Sequence, residues 1–213
     1  MTQASVSAAR TAPAIERIRR ERAVAILRGV PDGVVEPLAD ALVAGGVSVL
    51  EITLDHPDAS DAIGRLARRD DVVVGAGTAR TESDVDDAAR AGAAFVVSPA
   101  TIPVVVDRCH AHGLPAVPGA LTPTEVETAW RLGAALVKLF PAGALGPGYV
   151  RDLLAPLGGI PLLVTGGVSA ANATAFFAAG AVAVGVGTSL FPPAALAAGD
   201  WSAITASARA LVR

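Results

Sequence analysis

The sequence predicts an α/β fold, a (β/α)8 TIM barrel preceded by a short N-terminal helix. Eight short, β-branched apolar segments recur along the 213 residues, and helix-like segments lie between them. The segments begin roughly 20 to 25 residues apart, which is the length of one strand, one loop and one helix. They are almost continuously hydrophobic, as parallel strands buried on both faces are. Eight such units in one chain of this length favour a closed barrel.

The eight predicted strands share this apolar composition. In chain order they cover residues 22–27, 47–53, 72–77, 94–98, 115–119, 135–140, 161–167 and 181–187. The alternative is a doubly wound open sheet, but the first strand is not followed by the glycine-rich loop with which such sheets bind dinucleotides. We therefore expect the barrel.

The segments between the strands carry the usual signals for the start and end of a helix. Thr81 and Thr122 are suited to cap helices because their hydroxyls can accept hydrogen bonds from the first turn, and Glu125 would complete a capping box. A further helix is expected from Ser169 to Gly180. A glycine just before the next strand is expected to end four of the helices: Gly45, Gly92, Gly133 and Gly180.

The composition predicts a large apolar core and argues against two classes of partner. Hydrophobic residues make up 52% of the chain and charged residues 17%, and the net charge is −3 without any basic block. We therefore expect neither nucleic acid nor a membrane as a partner. The single cysteine suits a cytoplasmic location. Residues 1–12 lack the apolar segment of a secretory signal and are expected to form a frayed N-terminus, followed by one barrel domain over residues 13–213.

Lys138 is the only lysine among 17 basic residues. Arginine can replace lysine in almost any ion pair, but it cannot act as an amine nucleophile because its guanidinium stays charged. Lys138 lies in the sixth predicted strand between Val137 and Leu139, where a charge is expensive. Its position therefore singles it out more than its rarity does.

Glu51 lies in a similar position, within the apolar second strand. A charged group buried on both faces of a sheet costs several kcal/mol unless it is paired or neutral. Two interpretations follow. The two residues could form a structural ion pair, or they could perform Schiff-base chemistry in which Lys138 attacks a ketone and Glu51 transfers protons.

The ends of the last two strands resemble sites that bind anions. The active site of a (β/α)8 barrel lies at the carboxyl ends of its strands, and phosphate sites after strands seven and eight are frequent. Glycines there allow close backbone approach, although glycines in ordinary tight turns would give the same pattern. The candidate phosphate-binding residues are Gly166, Gly167, Gly187 and Thr188.

The segment from Cys109 to His112 does not predict a metal site. It lies late in a helix, at the end of the barrel remote from the strand tips, where histidine is favoured by the helix dipole alone. We expect no metal ion and no cofactor.

Seven sequence blocks resemble those of one family of enzymes. "GGVSVLEIT", "GAGT", "VVSPA", "PGALTPTE", "VKLFPA", "TGGV" and "GVGTSL" occur in the order and spacing of the 2-keto-3-deoxy-6-phosphogluconate aldolases, which include bifunctional enzymes that also cleave 4-hydroxy-2-oxoglutarate. The resemblance extends from about residue 23 to residue 200. "TGGV" alone is common among phosphate-binding barrels, whereas "EIT", "GAGT" and "KLFPA" together are specific.

The resemblance implies a homotrimeric barrel without a metal, which splits the phosphorylated keto acid into pyruvate and glyceraldehyde 3-phosphate. It implies that Lys138 is the Schiff-base lysine and Glu51 the general acid and base. The residues that resemble the wall around the pyruvyl part are Thr78, Pro99 and Phe140, and those that resemble the phosphate site are Gly166, Gly167 and Thr188.

The chain departs from the pattern of the family at the residue that holds the substrate carboxylate. Many members have an arginine where this chain has Asp55, and members without it often have an arginine at the end of the first strand, as Arg28 is here. A bidentate contact from Arg28 could replace it. A milder departure is Ala100, where glycine is commoner. Asp55 and Arg28 also resemble the sister aldolase for the galactonate isomer, so the stereochemistry of the substrate stays open.

Two other functions stay open besides the aldolases. On the same barrel a phosphosugar isomerase or epimerase could use Glu51 as a base and Lys138 to polarise a carbonyl. A non-catalytic sensor of phosphorylated metabolites would bind the same ligands without turnover. Release of pyruvate distinguishes the aldolase from both.

Overall fold

The computed structural model describes Arg10 and residues 12–212, so the expected frayed N-terminus lies almost wholly outside the described residues. It confirms the barrel. All the paired strands run parallel in one sheet. In chain order the strands are β1 (Ala23–Leu27), β2 (Val49–Thr53), β3 (Val73–Gly77), β4 (Val96–Val97), β5 (Ala116–Val117), β6 (Gly119–Ala120), β7 (Val137–Leu139), β8 (Leu162–Thr165) and β9 (Ala183–Val186).

Helices lie between the strands and form the outer layer. They are α1 (Pro13–Glu21), α2 (Val35–Ala44), α3 (Ala59–Leu66), α4 (Glu82–Ala91), α5 (Pro103–Ala111), α6 (Pro123–Arg131), α7 (Gly146–Leu154), α8 (Ala173–Ala178), α9 (Pro193–Ala198) and α10 (Trp201–Val212), with a short 3-10 helix at Asp32–Val34 before α2. The first of these, α1, is the predicted N-terminal helix.

The barrel is nearly closed, and a single proline lies between the two strands at the edges of its sheet. The strand order is β5-β4-β3-β2-β1-β9-β8-β7-β6, so the two ends of the sheet are β5 and β6, which only Pro118 separates in the chain. The predicted fifth strand is thus two short ones, because proline has no N–H to donate to a strand ladder. Its carbonyl still accepts a hydrogen bond from the Lys138 N–H at 2.9 Å.

The interior of the barrel is sealed at the amino ends of the strands. Ile15 and Ile18 of α1 are fully buried and belong to one apolar cluster with inward-facing residues such as Val24, Val49 and Phe95. Arg17 holds α1 across the starts of β2 and β3 through the Ser48 hydroxyl at 3.1 Å and the Asp71 carbonyl at 3.2 Å. Helix α1 therefore covers the interior of the barrel at this end.

The expected helix signals are confirmed at two helices and wrong at a third. Thr81 and Thr122 each form a capping box, at the start of α4 and of α6. The helix expected to begin at Ser169 begins instead at Ala173. The Asn172 side chain accepts a hydrogen bond from the Ser169 N–H and donates one to the Gly167 carbonyl, both at 2.9 Å, and this polar turn replaces the first helical turn.

The described residues contain neither a cluster of potential metal ligands nor a helix that could span a membrane. Among the described residues, no group of three or more His, Cys, Asp or Glu side chains could hold a metal ion. Cys109 is buried, and burial raises the pKa of its thiol to about 12. Within the described ranges no helix combines the length and the hydropathy that a membrane span requires.

Asp86 joins α4 to α5 through an ion cluster on the outside of the barrel. Its carboxylate accepts hydrogen bonds from Arg108 at 2.6 and 2.9 Å and from His112 at 2.6 Å. These bonds, first those from Arg108 and then that from His112, lower the pKa of Asp86 to about 2. Because this pKa is below the ordinary value, the stabilisation is complete above about pH 5 and is lost as the pH falls towards 2.

We expect Asp86→Asn to lower the midpoint of urea unfolding at neutral pH, because it removes the charge that both partners contact. The difference from the wild type should shrink as the pH is lowered from 5 towards 2. Asp87→Asn is the control, since Asp87 pairs only with the exposed Arg90 of its own helix among the described residues. A difference that is the same at pH 3 and pH 7 would contradict this interpretation.

Candidate active site

A cavity of about 660 Å³ opens at the carboxyl ends of the strands. It lies between the ends of β1, β7, β8 and β9 and the loops that follow β3 and β4. The structure brings nearly all of the predicted site residues together on its walls: Arg28, Thr78, Pro99, Lys138, Phe140, Gly166, Gly167, Gly187 and Thr188. Glu51 is fully buried and is not a lining residue, but its carboxylate lies next to the Lys138 amine.

Lys138 and Glu51 meet inside the barrel. The Nζ atom of Lys138 lies 3.6 Å from Oε1 of Glu51, and their side chains are 6% and 0% exposed. This distance suits an ion pair but is too long for a good hydrogen bond. Neither carboxylate oxygen of Glu51 has a hydrogen-bond partner among the described residues. Glu51 is therefore a buried carboxylate whose oxygens accept no hydrogen bond from the described residues.

This geometry favours a reactive pair over a structural ion pair. A buried salt bridge offsets the loss of hydration only when its geometry is good and further hydrogen bonds occupy the remaining lone pairs. Those further bonds are missing here for both Glu51 oxygens. Groups that are buried and unsatisfied are rare in folded proteins, and they require an explanation other than stability.

The surroundings of the lysine amine are apolar on its cavity side. The amine lies 5.6 Å from the centre of the Phe140 ring, and Ile26 lines the same wall. Val137 and Leu139, its neighbours in β7, are fully buried against the outer layer. The amine is therefore enclosed between this apolar wall and the Glu51 carboxylate.

Arg28 stands at the mouth of the cavity and is anchored on both sides. Its Nη1 atom forms an ion pair with the Asp55 carboxylate, and its Nη2 atom donates a hydrogen bond to the Thr78 hydroxyl at 2.8 Å. The Thr53 hydroxyl and the charge of Arg28 hold the pKa of Asp55 below its ordinary value. The guanidinium is therefore fixed in direction, although Asp55 already balances part of its charge.

Thr78 has a backbone conformation that threonine rarely adopts. Its φ angle is +65°, in the left-handed region, and such an angle is a genuine outlier for a β-branched residue. Residues in such regions cost of order 1–3 kcal/mol and cluster at functional sites. The chain keeps this strained residue where the Thr78 hydroxyl anchors Arg28.

The loops after β8 and β9 form the other end of the cavity. Gly166 and Gly167 have φ angles of +87° and +73°, and a Cβ atom at Gly167 would lie 2.9 Å from the Cα atom of Gly143. Glycine is therefore required there for both conformation and space. Helices α8 and α9 contribute no lining residue, whereas the loops before them expose backbone and hydroxyl groups.

Three polar lining residues were not among the predicted ones. Thr165, at the end of β8, is 4% exposed, and its hydroxyl has no hydrogen-bond partner among the described residues. Ser169 and Ser189 line the loop end of the cavity. Thr165 could have been recognised from the sequence, because it is a polar residue at the end of an apolar strand directly before two glycines.

Comparisons with known proteins agree with one another. The sequence profile of a family described as "Aldolase: KDPG and KHG aldolase" matches residues 14–207. A 2-dehydro-3-deoxy-phosphogluconate aldolase from Treponema pallidum is 39% identical over 195 residues, which are 91% of each chain. A 2-dehydro-3-deoxy-6-phosphogalactonate aldolase from Escherichia coli is 36% identical over 174 residues, covering 79% of this chain and 83% of that protein.

A solved structure shares the fold over almost the whole chain. It is a crystal structure of KDPG aldolase from Legionella pneumophila with pyruvate captured at low pH as a covalent carbinolamine intermediate. Its TM-score is 0.86 at 28% identity, and the match covers 94% of this chain and 98% of that one.

We expect Thr78→Gly to leave the free energy of unfolding unchanged or to raise it by up to about 1 kcal/mol. Glycine relieves the steric cost of the positive φ angle, and the greater freedom of the unfolded chain partly offsets that gain. Thr53→Gly, in the ordinary strand backbone of β2, is the control and should lose about 1 kcal/mol or more. Urea denaturation measures both. Equal losses in the two variants would show that the Thr78 conformation is not strained.

Proposed function

Because the chain belongs to the KDPG and KHG aldolase family, we propose that it cleaves 2-keto-3-deoxy-6-phosphogluconate into pyruvate and glyceraldehyde 3-phosphate through a Schiff base. The protein is an aldolase, a carbon–carbon lyase. One observation carries the proposal for this chain: an enclosed lysine amine lies 3.6 Å from a carboxylate with no hydrogen-bond partner among the described residues, at the wall of a cavity.

In the first half of the reaction the Lys138 amine acts as the nucleophile. It attacks the keto carbon to give a carbinolamine, and loss of water then gives an iminium ion. The positive nitrogen accepts electrons when the adjacent carbon–carbon bond breaks. The carbinolamine captured in the Legionella relative supports this route, since that protein shares the fold of this chain.

Glu51 would move the protons that these steps require. In its carboxylic acid form Glu51 donates a proton to the departing hydroxyl group of the carbinolamine, and the carboxylate left behind then accepts the proton of the C4 hydroxyl as the bond between C3 and C4 breaks. Glyceraldehyde 3-phosphate leaves, and the electron pair of the broken bond forms an enamine. Return of a proton to C3 and hydrolysis of the iminium ion then release pyruvate and the free amine.

The carboxylate of the substrate would lie towards the anchored Arg28. The guanidinium keeps donors that neither Asp55 nor Thr78 uses, and a fixed arginine can bind a carboxylate at two points. Thr78, Pro99 and Phe140 line the cavity on this side and are proposed to enclose the pyruvyl part.

The phosphate would lie at the opposite end, against the loops after β8 and β9. Gly166, Gly167 and Gly187 allow the phosphate to approach the backbone closely, and Thr188 adds a hydroxyl. Among the described residues, the lining of this end carries no lysine or arginine. Backbone N–H groups and hydroxyls would therefore bind the phosphate there.

The smaller substrate 4-hydroxy-2-oxoglutarate would use only part of this site. It shares the keto acid that Lys138 and Arg28 would bind, but it has no phosphate for the glycine-rich loops. We therefore propose that it is cleaved less efficiently, because binding energy from the remote end of a substrate contributes to catalysis. The homotrimer and the cytoplasmic location expected from the sequence remain predictions.

We expect Lys138→Arg to fold normally and to lose at least about a thousand-fold in kcat, because guanidinium keeps the charge but cannot form a Schiff base. A coupled assay that measures pyruvate release gives the rate, and circular dichroism gives the fold. Arg131→Lys, on the surface of α6, is the control and should be fully active. A Lys138→Arg variant with a tenth of the wild-type kcat would overturn the proposal, and turnover without pyruvate would favour the isomerase or epimerase.

We expect a higher kcat/KM for the gluconate-derived substrate than for its galactonate isomer when the two are assayed side by side. The Thr165 hydroxyl is the buried polar group free to bind a substrate hydroxyl among the described lining residues. The isosteric change Thr165→Val should lower kcat/KM for the preferred substrate about 10- to 100-fold and should narrow the ratio between the isomers. A wild-type preference for the galactonate isomer would instead support the sister activity.

A further inference from the structure

We propose that Gly77, the last residue of β3, is a positioning residue for Glu51. The space that its missing side chain leaves is the niche in which the Glu51 carboxyl group lies. This inference rests on the proposed function, because it concerns the proton transfers that Glu51 would perform. It adds a residue that touches neither the substrate nor Lys138.

The side chain of Glu51 crosses from β2 to the neighbouring strand β3. A Cβ atom built on Gly77 would lie 2.6 Å from Cγ and 2.7 Å from Cδ of Glu51, and closer still to Oε1. Real Cβ atoms essentially never have neighbours at such distances. Because Cγ is among the atoms in conflict, rotation of the carboxylate alone cannot relieve the contact, and the whole side chain must change its χ1 rotamer.

The backbone of Gly77 does not itself require glycine. Its φ angle is not among the positive ones, and it pairs with Thr53 in the regular register of β2 and β3. A glycine in a strand interior costs roughly 0.5–1 kcal/mol relative to alanine, so an ordinary strand position favours almost any other residue. Space for the Glu51 carboxyl group is the reason that the structure offers.

A displaced Glu51 carboxylate would find no equivalent position inside the barrel. Glu51 is fully buried, and its Oε1 atom, the atom nearest to the Gly77 niche, is also the one that faces the Lys138 amine. A methyl group in the niche therefore separates the carboxylate from the reacting amine. A misplacement of about 1 Å in an active site can cost about a hundred-fold in rate.

Gly75 provides a matched comparison within the same strand. It is paired with Glu51 in the strand register, but a Cβ atom there would meet the Phe95 ring, with Cδ2 at 2.6 Å, and not the carboxylate. Gly75→Ala should therefore disturb the packing of the barrel interior while leaving the niche of Glu51 empty.

The test is the exchange of the pyruvate methyl protons with deuterium oxide, followed by nuclear magnetic resonance. This reaction needs the Schiff base and the proton carrier but no second substrate. We expect Gly77→Ala to slow the maximal exchange rate about a hundred-fold, while the KM for pyruvate stays within about three-fold because Arg28 and Lys138 are untouched. Gly75→Ala should lose stability and keep at least about a third of the exchange rate. A Gly77→Ala rate within ten-fold of the wild type would overturn the proposal.

A stability cycle with Glu51→Ala tests the niche without any catalysis. Gly77→Ala should lower the urea midpoint of the wild type, whereas in the Glu51→Ala background it should be neutral or stabilising, because the atoms that it displaces are gone. If Gly77→Ala alone fails to fold, a folded double variant supports the niche and an unfolded one overturns it. If Gly77→Ala lowers the urea midpoint equally in the wild type and in the Glu51→Ala variant, the proposal is overturned as well. A wild type without exchange would refute the proposed function and leave this cycle as the test of the niche.

Discussion

The structure depends on keeping one amine and one carboxylate together inside the barrel without a hydrogen-bond network around them. Lys138 and Glu51 lie 3.6 Å apart, and both oxygens of Glu51 lack a hydrogen-bond partner among the described residues. Such an arrangement lowers the stability of the folded state by several kcal/mol. It persists because the rest of the barrel supplies a large apolar core, and because the same lack of partners leaves the pair free to react.

The stabilising apolar core and the reactive pair occupy opposite ends of the barrel axis. Its lower interior is apolar and closed, since Ile15 and Ile18 of α1 pack under residues such as Phe95. Its upper interior holds the buried polar side chains of Lys138, Glu51 and Thr165, and small residues stand beside them. In the strand register Gly119 is opposite Lys138 and Gly185 is opposite Thr165. A Cβ atom at Gly185 would lie 2.5 Å from the Thr165 hydroxyl oxygen. Glycine at this position therefore leaves space for the polar side chain opposite it.

Short-range patterns in the sequence predicted the fold, the two buried charges and the glycine-rich loops, whereas the roles of Thr78, Pro99 and Phe140 were predicted through the resemblance to a known family. Strand hydrophobicity repeats regularly, and the end of a strand locates the site once the barrel is assumed. Lys138 and Glu51 could be recognised because each is a charge in an apolar strand. Interactions between distant segments could not be predicted in this way. The anchoring of Arg28 by Asp55 and Thr78 joins the ends of three strands, and Thr78 has its positive φ angle at one of these ends. Similarly, the break at Pro118 and the late start of α8 depend on which neighbours satisfy the backbone.

The central claim is that the Lys138 amine bonds covalently to the keto carbon of the substrate. The most direct measurement is treatment of the protein with pyruvate and borohydride, followed by peptide mass spectrometry. Borohydride reduces the iminium bond to a stable amine, so the account predicts one reduced pyruvate on the peptide that contains Lys138 and none when either reagent is left out. A fully unmodified Lys138 peptide from a sample that releases pyruvate in the aldolase assay would contradict the account.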